Sequence, residues 1–407
     1  MQTNLTPQFL STPEGREAES ILRSCVHCGF CTATCPTYLL LGDELDGPRG
    51  RIYLVKQVLE GGTATAATQL HLDRCLTCRA CETACPSGVN YGRLLETGRE
   101  ATDRQVKRPV ATRALRAVLR FALTGRLFAP LYRLAQLGRP LLPGTIRATV
   151  LAPQPIGTWP TRSHARRVVF PRGCVQPAMA PGIDAAAARV LDRLGIQVLR
   201  FAGDARCCGA IRQHLGDPEG ALEEARRNID TWWPPIEAGA EAIVSTASGC
   251  GVMIKDYGHL LQHDRAYSMR AARVSALTRD LSEIVAPRSA EIAGLIVLRP
   301  GERVAVQAPC TLQHGQRLPG FLEGLLQSVG ATAVPVDEPH LCCGSAGTYS
   351  ILQSHLAGQL RDRKLAHLEA GKPDSILSAN VGCIRHLSAG TATKVEHWIE
   401  WVEARLG

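Results

Sequence analysis

Eight of the sixteen cysteines fall into two runs that repeat each other position by position. Cys25, Cys28, Cys31 and Cys35 precede Pro36, and Cys75, Cys78, Cys81 and Cys85 precede Pro86, an offset of 50 residues at all four positions. Each run reads C-x2-C-x2-C-x3-C-P. Three thiols at such close spacing meet a common centre only if the chain closes into one tight loop. The fourth, set off by a longer spacer and a proline, is carried elsewhere. Sixteen cysteines are out of place in a reduced chain unless they bind metal or do redox chemistry. The first twenty residues carry neither a basic stretch nor an apolar core, so they do not read as a secretory signal, and a cytoplasmic protein is expected. Disulfides fit poorly with that compartment. Structural zinc usually draws on two C-x2-C pairs and not on triplets closed by C-P.

The doubled run is the two-cluster ferredoxin signature, in which the fourth cysteine of each run ligates the other cluster. The expected ligands are Cys25, Cys28, Cys31 and Cys85 for one [4Fe-4S] cluster, and Cys35, Cys75, Cys78 and Cys81 for the second. Crossed ligation holds two clusters close together, which suits electron transfer. The insert between the runs contains GPRGRIYLVKQVLEG, read as a helix over 51–60 with Ile52, Val55 and Leu59 on one face and a stop at Gly61 and Gly62.

The other eight cysteines form a second repeat. Cys174, Cys207, Cys208 and Cys250 are matched by Cys310, Cys342, Cys343 and Cys383, at offsets of 136, 135, 135 and 133 residues. In the first half, strand-like 166–174 leads to Cys174. A helical 185–195, a strand 196–203, the Cys207-Cys208-Gly209 turn, a helix around 221–233 and a strand 240–250 ending at Cys250 follow. In the second half, 303–310 ends at Cys310. Then come a helical 318–330, the stretch 331–344 with Cys342 and Cys343, a helical 356–371, and 375–383 ending at Cys383. Alternating strands and helices imply parallel sheets with right-handed crossovers. The cysteines stand at carboxyl ends of strands, the edge where open α/β sheets bind ligands, so each set of four is expected to converge on one crevice.

Glycines at 209, 344, 249, 251 and 382 beside these cysteines allow close backbone approach. His314, His340, Ser248 and Asn380 are further polar residues nearby, and His314 is read as a ligand, a proton carrier or a surface residue. Trp232, Trp233 and Tyr349 are read as packing residues.

The segments CVHCGFCTATCPTYLLLGDELDGPRGRIYLVKQVLEG, LDRCLTCRACETACPSGV, TASGCG, PCTLQH and HLCCGSAGTYS resemble the iron–sulfur subunits of bacterial glycolate oxidase (glycolate dehydrogenase) over nearly the whole chain. The C-terminal half resembles the cysteine-rich CCG domains of heterodisulfide reductases, anaerobic glycerol-3-phosphate dehydrogenase and lactate-utilisation proteins. The resemblance implies an α+β and α/β architecture: a helix-inserted two-[4Fe-4S] ferredoxin domain over 1–105, a basic connector over 106–165, and CCG repeats over 166–285 and 286–407. It implies a non-flavin subunit of an oxidoreductase complex, not active alone. Flavoprotein partners would oxidise glycolate to glyoxylate, and this chain would pass electrons towards membrane quinone. The sequence agrees in having no G-x-G-x-x-G at a dinucleotide site and no acid/base constellation for oxidising a hydroxy acid.

One departure matters. The CCG pattern ends in C-x-x-C, but here the last motifs read Ala247-Ser248-Gly249-Cys250 and Asn380-Val381-Gly382-Cys383, one cysteine short in each half. Four thiolates suffice for a [4Fe-4S] cube. A cluster, a site of acceptor reduction and an empty site all stay open, and no residue is read as catalytic. The alternative functions are the equivalent subunit of a lactate or glycerol-3-phosphate dehydrogenase, a heterodisulfide-reductase-like enzyme, or a sensor using its clusters structurally.

Charge is uneven. The chain has 46 basic and 37 acidic residues, yet 104–167 holds thirteen basic residues and no Asp or Glu. Arg113, Arg116 and Arg120 share one helix face there, with Leu115, Val118, Leu119 and Ala122 on much of the remainder, ahead of a Pro-rich linker at 152–160. No stacking aromatics in a recognised motif accompany it, so nucleic acid is not the expected partner. The readings are a linker helix, or an arginine face that docks acidic partners or the anionic inner face of the membrane. No uncharged apolar run approaches the ~18 residues of a membrane span.

Overall fold

The computed structural model describes the whole chain except residues 126, 142, 145–149, 151, 154 and 201–206. The tail of the expected strand 196–203, part of the Pro-rich linker and Arg126 lie outside the described residues. The chain forms two compact units, residues 1–116 with 340–360, and residues 117–339 with 361–407. The expected second CCG repeat over 286–407 thus contributes its CCG turn to the same unit as the ferredoxin-type cysteines.

The first unit is built from helices that launch the two cysteine loops. Thr12 caps the helix Pro13–Ser24, its hydroxyl accepting from the Gly15 N–H at 3.0 Å. Thr65 and Thr68 form a reciprocal capping box on Ala66–Asp73. Both helices end directly before a cysteine run, and the Cys25 and Cys75 N–H groups donate to Leu22 and Leu72 carbonyls at 3.2 Å each. The helix expected over 51–60 runs Pro48–Leu59, with Ile52, Val55 and Leu59 buried as its periodicity implies. Two glycines allow its close packing. A Cβ at Gly50 would lie 2.1 Å from the Glu44 carbonyl oxygen, and one on Gly98 of helix Tyr91–Gln105 would lie 2.3 Å from Val55. Leu22, Val55, Leu59, Leu94 and Leu95 form the centre of this core.

The second unit contains two four-stranded, all-parallel sheets of one topology. Strands β1 (Arg166–Val169), β2 (Ile196–Leu199), β3 (Ala242–Ser245) and β4 (Thr278–Asp280) lie in the order β2-β1-β3-β4. Strands β5 (Arg303–Gln307), β6 (Thr332–Ala333), β7 (Ser375–Ser378) and β8 (Lys394–His397) repeat it as β6-β5-β7-β8. Strands β3 and β7 are buried at every residue, as parallel strands covered on both faces should be. Ala185–Ala188 are all buried in the helix Gly182–Arg193, and such small side chains let it approach the helix Trp398–Glu403 closely. One core, containing Val168, Val244, Val306, Leu377 and Trp398, runs through both repeats.

The basic connector divides its arginines. On its helix Val110–Thr124, Arg116 is nearly buried against Asp73 at 3.3 Å and Arg120 lies 3.8 Å from Asp217, whereas Arg113 is exposed. Acids elsewhere in the chain thus pair with two of the three arginines of the expected face. No helix among the described residues is long and apolar enough to cross a membrane.

Candidate metal centres

The two ferredoxin-type loops share a strained backbone. His27 and Thr77, at matching positions, have φ of 55° and 54°, and Gly29 and Arg79 have 86° and 61°. Left-handed geometry at three non-glycine residues is costly and persists only where the surroundings enforce it. Each loop thereby curls about its three thiols, and the Thr77 N–H points at Cys75 Sγ, 3.4 Å away. Each run closes alike, with the Cys35 and Cys85 N–H groups donating to Thr32 and Glu82 carbonyls at 3.2 Å.

The thiols gather in two crossed sets. Burial pushes the Cys31 thiol up to about 11, helped by Cys25, Cys28 and Cys85. Burial raises the Cys81 thiol well above its ordinary value, and Cys78, Cys75 and Cys35 add to it. Like charges that repel one another in a dry pocket need a cation between them, and a thiolate-bound iron–sulfur cluster meets that need. The first set opens outward through the exposed Cys28, beside His27, Phe30 and Arg49. The second is more enclosed, with Cys35 and Cys81 buried and Cys75 and Cys78 half-buried.

Arg51 explains how the enclosed set tolerates negative charge. Its side chain is 1% exposed, donating to the His71 carbonyl at 2.7 Å, to Thr37 Oγ1 at 3.1 Å and to Asp46 at 3.3 Å. Burial acts to lower its pKa, but Cys75, Tyr91, Cys35 and Asp46 outweigh it, so the guanidinium stays charged. Tyr91, also buried, directs its hydroxyl at Cys75 Sγ, 3.6 Å away. Asp43, Asp46 and His71 bring three more ligand atoms together, but Asp46 is already paired with Arg51 and with Arg74 at 2.8 Å. Sequence reading missed Arg51, Asp46 and Tyr91 as residues of this site.

In the first CCG repeat Cys174 follows β1, Cys250 follows β3, and Cys207 and Cys208 lie beyond β2. The chain passes from β1 to β2 on one side and then crosses from β2 to β3 on the other side of β1, so the cysteines stand at the topological switch point. The structure brings all four together, with Cys174 against Cys207, Cys207 against Cys208, and Cys208 against Cys250. Tyr257 and Asn228 hold the pair from beneath. Tyr257 donates to the Cys208 carbonyl at 2.8 Å, and Asn228 Nδ2 donates to the Cys207 carbonyl at 2.7 Å and to Tyr257 Oη at 3.0 Å.

In the second repeat Cys310 follows β5 and Cys383, which follows β7, receives a hydrogen bond from Asn380 Nδ2 at 3.5 Å. His314 is buried in the short helical turn Thr311–Gly315. Cys342 and Cys343 are buried in the segment that belongs to the first unit, together with His340. Gly344 and Gly209 follow the two Cys-Cys pairs with φ of 88° and 97°, and a Cβ at Gly344 would fall 2.6 Å from the Ala357 carbonyl oxygen. Tyr349, expected to be a packing residue, is buried and donates to the Arg74 carbonyl at 3.1 Å, with Cys75 and Cys342 both close enough to oppose its ionisation.

Residues 21–89 match the family model of the 4Fe-4S dicluster domain, and residues 168–255 and 304–388 match that of the cysteine-rich domain. Over its full length the chain is 52% identical to the glycolate oxidase iron-sulfur subunit of Escherichia coli K12, covering 99% of that protein. It is 29% identical to a probable glycolate oxidase iron-sulfur subunit of Bacillus subtilis, across 92% of this chain and 90% of that one. Lactate utilization protein A of Geobacillus thermodenitrificans is 28% identical across 57% of this chain and 96% of its own length.

Proposed function

The chain belongs to the family of glycolate oxidase iron–sulfur subunits, and from that premise we propose that it is the electron-transfer subunit of a flavin-dependent glycolate dehydrogenase. Flavoprotein subunits of the same complex oxidise glycolate to glyoxylate. The two electrons released pass through this chain towards membrane quinone, at the cytoplasmic face. The observation that carries the reading is the pair of matching loops with their crossed thiol sets.

Cys25, Cys28, Cys31 and Cys85 hold one [4Fe-4S] cluster, and Cys35, Cys75, Cys78 and Cys81 hold the other. Bound clusters supply one-electron carriers, matching a two-electron flavin to single-electron steps. Arg51 and Tyr91 would stabilise negative charge on the thiolates of the second set. Cys174, Cys207, Cys208 and Cys250, and by the register of the repeat Cys310, Cys342, Cys343 and Cys383, are assigned to a further iron–sulfur cluster or an acceptor site.

Anaerobic co-purification with the flavoprotein subunits tests the reading. We expect about eight irons per chain from the two cubes, more if the CCG cysteines also hold iron. Glycolate should reduce the clusters in the complex and not in the chain alone. Zinc in place of iron, or reduction by lactate or glycerol 3-phosphate and not by glycolate, overturns it.

A further inference from the structure

The basic connector exposes a row of apolar side chains beside some of its arginines. Helix Val110–Thr124 and the following helix Phe128–Leu137 present Val118, Phe121, Leu127, Leu131, Leu134 and Leu137 to solvent, each between 55% and 77% exposed. Their three- and four-residue spacing puts them along one face of each helix. The opposite faces are committed to the protein. In the second helix Phe128 and Tyr132 stack 5.5 Å apart against the core of the repeats, and Gln136 is buried one turn further on. In the first, Arg116, Arg120 and Thr124 take the same four-residue spacing inward. A soluble surface normally exposes the arginines and buries the leucines; a contiguous apolar face of this kind marks a contact.

We propose that this face is the membrane-docking surface of the protein, lying in the plane of an anionic bilayer with the leucines and Phe121 among the acyl chains and Arg113 and Arg133 at the headgroups. The proposal rests on the reading of the chain as a quinone-directed electron carrier and identifies the surface that brings it to lipid. Charge singles out the occupant. Residues 104–167 contain no acidic side chain, so a second copy on this face would set arginine against arginine with nothing to pair. An acidic protein surface would meet Arg113 and Arg133 but not the six exposed apolar side chains beside them. An anionic lipid surface offers an apolar phase and flanking negative charge at once, which suits exposed leucines beside the exposed Arg113 and Arg133.

The test is co-sedimentation of the full-length protein with vesicles of phosphatidylethanolamine and phosphatidylglycerol, beside neutral phosphatidylcholine vesicles. The wild type should bind the anionic vesicles, less so as salt rises. Replacing Phe121, Leu131 and Leu134 with Gln should weaken partitioning by about tenfold or more, since each loses a buried apolar side chain. Arg113→Gln with Arg133→Gln should weaken it several-fold and flatten the salt dependence. Unchanged binding by the triple-Gln variant overturns the proposal. So does concentration-dependent self-association, or capture of the flavoprotein subunits, that the same variant abolishes while vesicle binding persists. Glycolate-dependent reduction of a water-soluble dye by the assembled complex is unaffected by these substitutions. Its failure in the wild type would sink the electron-carrier reading and leave the lipid result standing.

Discussion

His397 Nε2, at the end of β8, donates to the Thr246 carbonyl oxygen 3.0 Å away, just beyond β3 of the other repeat. Its Nδ1 accepts from the Ile399 N–H at 3.2 Å and caps the helix Trp398–Glu403. Both ring nitrogens are therefore committed in the neutral tautomer. Nearby, the Ser248 N–H donates to the Ala379 carbonyl at 3.1 Å, and Ser248 and Thr311 hydroxyls lie 2.7 Å apart. The repeats are thus joined beside the turns that carry Cys250 and Cys383.

Acid should loosen that joint. Burial pushes the His397 pKa down to about 3, against 6.5 when unfolded. A depressed base contributes stability that is fully present above the unfolded value and is lost as pH falls below it. Between pH 7 and 5 the loss is about 2 kcal/mol. Glu400 contributes the opposite slope, because burial raises its carboxyl to about 7. The readout is therefore the difference between wild type and His397→Asn, which keeps the helix cap. The variant should be about 1 kcal/mol less stable at pH 7 and lose less on acidification. Parallel denaturation curves at both pH values would refute the assignment.

The crossed thiol sets predict which cysteine substitutions act alike. Cys35→Ser should perturb the same electron paramagnetic resonance signal as Cys78→Ser, although Cys35 lies in the other run. Cys28→Ser should perturb the second signal, and each variant should lose up to about four irons. A Cys35→Ser spectrum matching Cys28→Ser would mean the ligation is not crossed.

Tyr91 and Arg51 should set the potential of the enclosed cluster. A hydrogen bond to a ligand sulfur favours the more negative, reduced form. Tyr91→Phe removes the hydroxyl facing Cys75 Sγ at 3.6 Å and keeps the buried ring. The potential of that cluster should fall by on the order of 50 mV, the electrical equivalent of one net hydrogen bond. The other cluster should serve as internal control. Equal shifts in both potentials would show a general loosening instead of a local effect.

The parts of this fold legible in the sequence are those written as periodicity. The 50-residue offset marked two equivalent loops, and the strand-end cysteines marked one topology used twice. Arg51 and Asp46 were not legible, because a buried ion pair is spelled with the same residues as a solvated one. Helical spacing grouped Arg113, Arg116 and Arg120 but could not say which of them turn inward; Asp73 and Asp217, distant in sequence, decide that for Arg116 and Arg120, while Arg113 stays exposed. The grouping of 340–360 with the ferredoxin-type residues depends on contacts such as Tyr349 with Arg74, for which no local pattern exists.

The Tyr257–Asn228 pair should govern the first CCG turn. Tyr257 stacks on Trp232, with centroids 6.4 Å apart and planes 8° from parallel, so Tyr257→Phe keeps the packing and removes only the hydroxyl. That substitution orphans the Cys208 carbonyl and one Asn228 N–H in a fully buried setting, at a cost of about 1–3 kcal/mol. Asn228→Ala orphans the Cys207 carbonyl as well. Because both residues belong to one network, the double variant should be less destabilised than the sum of the two singles. Cys207 and Cys208 are buried, so their reaction with a thiol reagent reports opening of the turn. Both single variants should accelerate it at temperatures where the fold is intact. Strictly additive stabilities with unchanged thiol reactivity would show that the pair merely fills space beneath the cysteines.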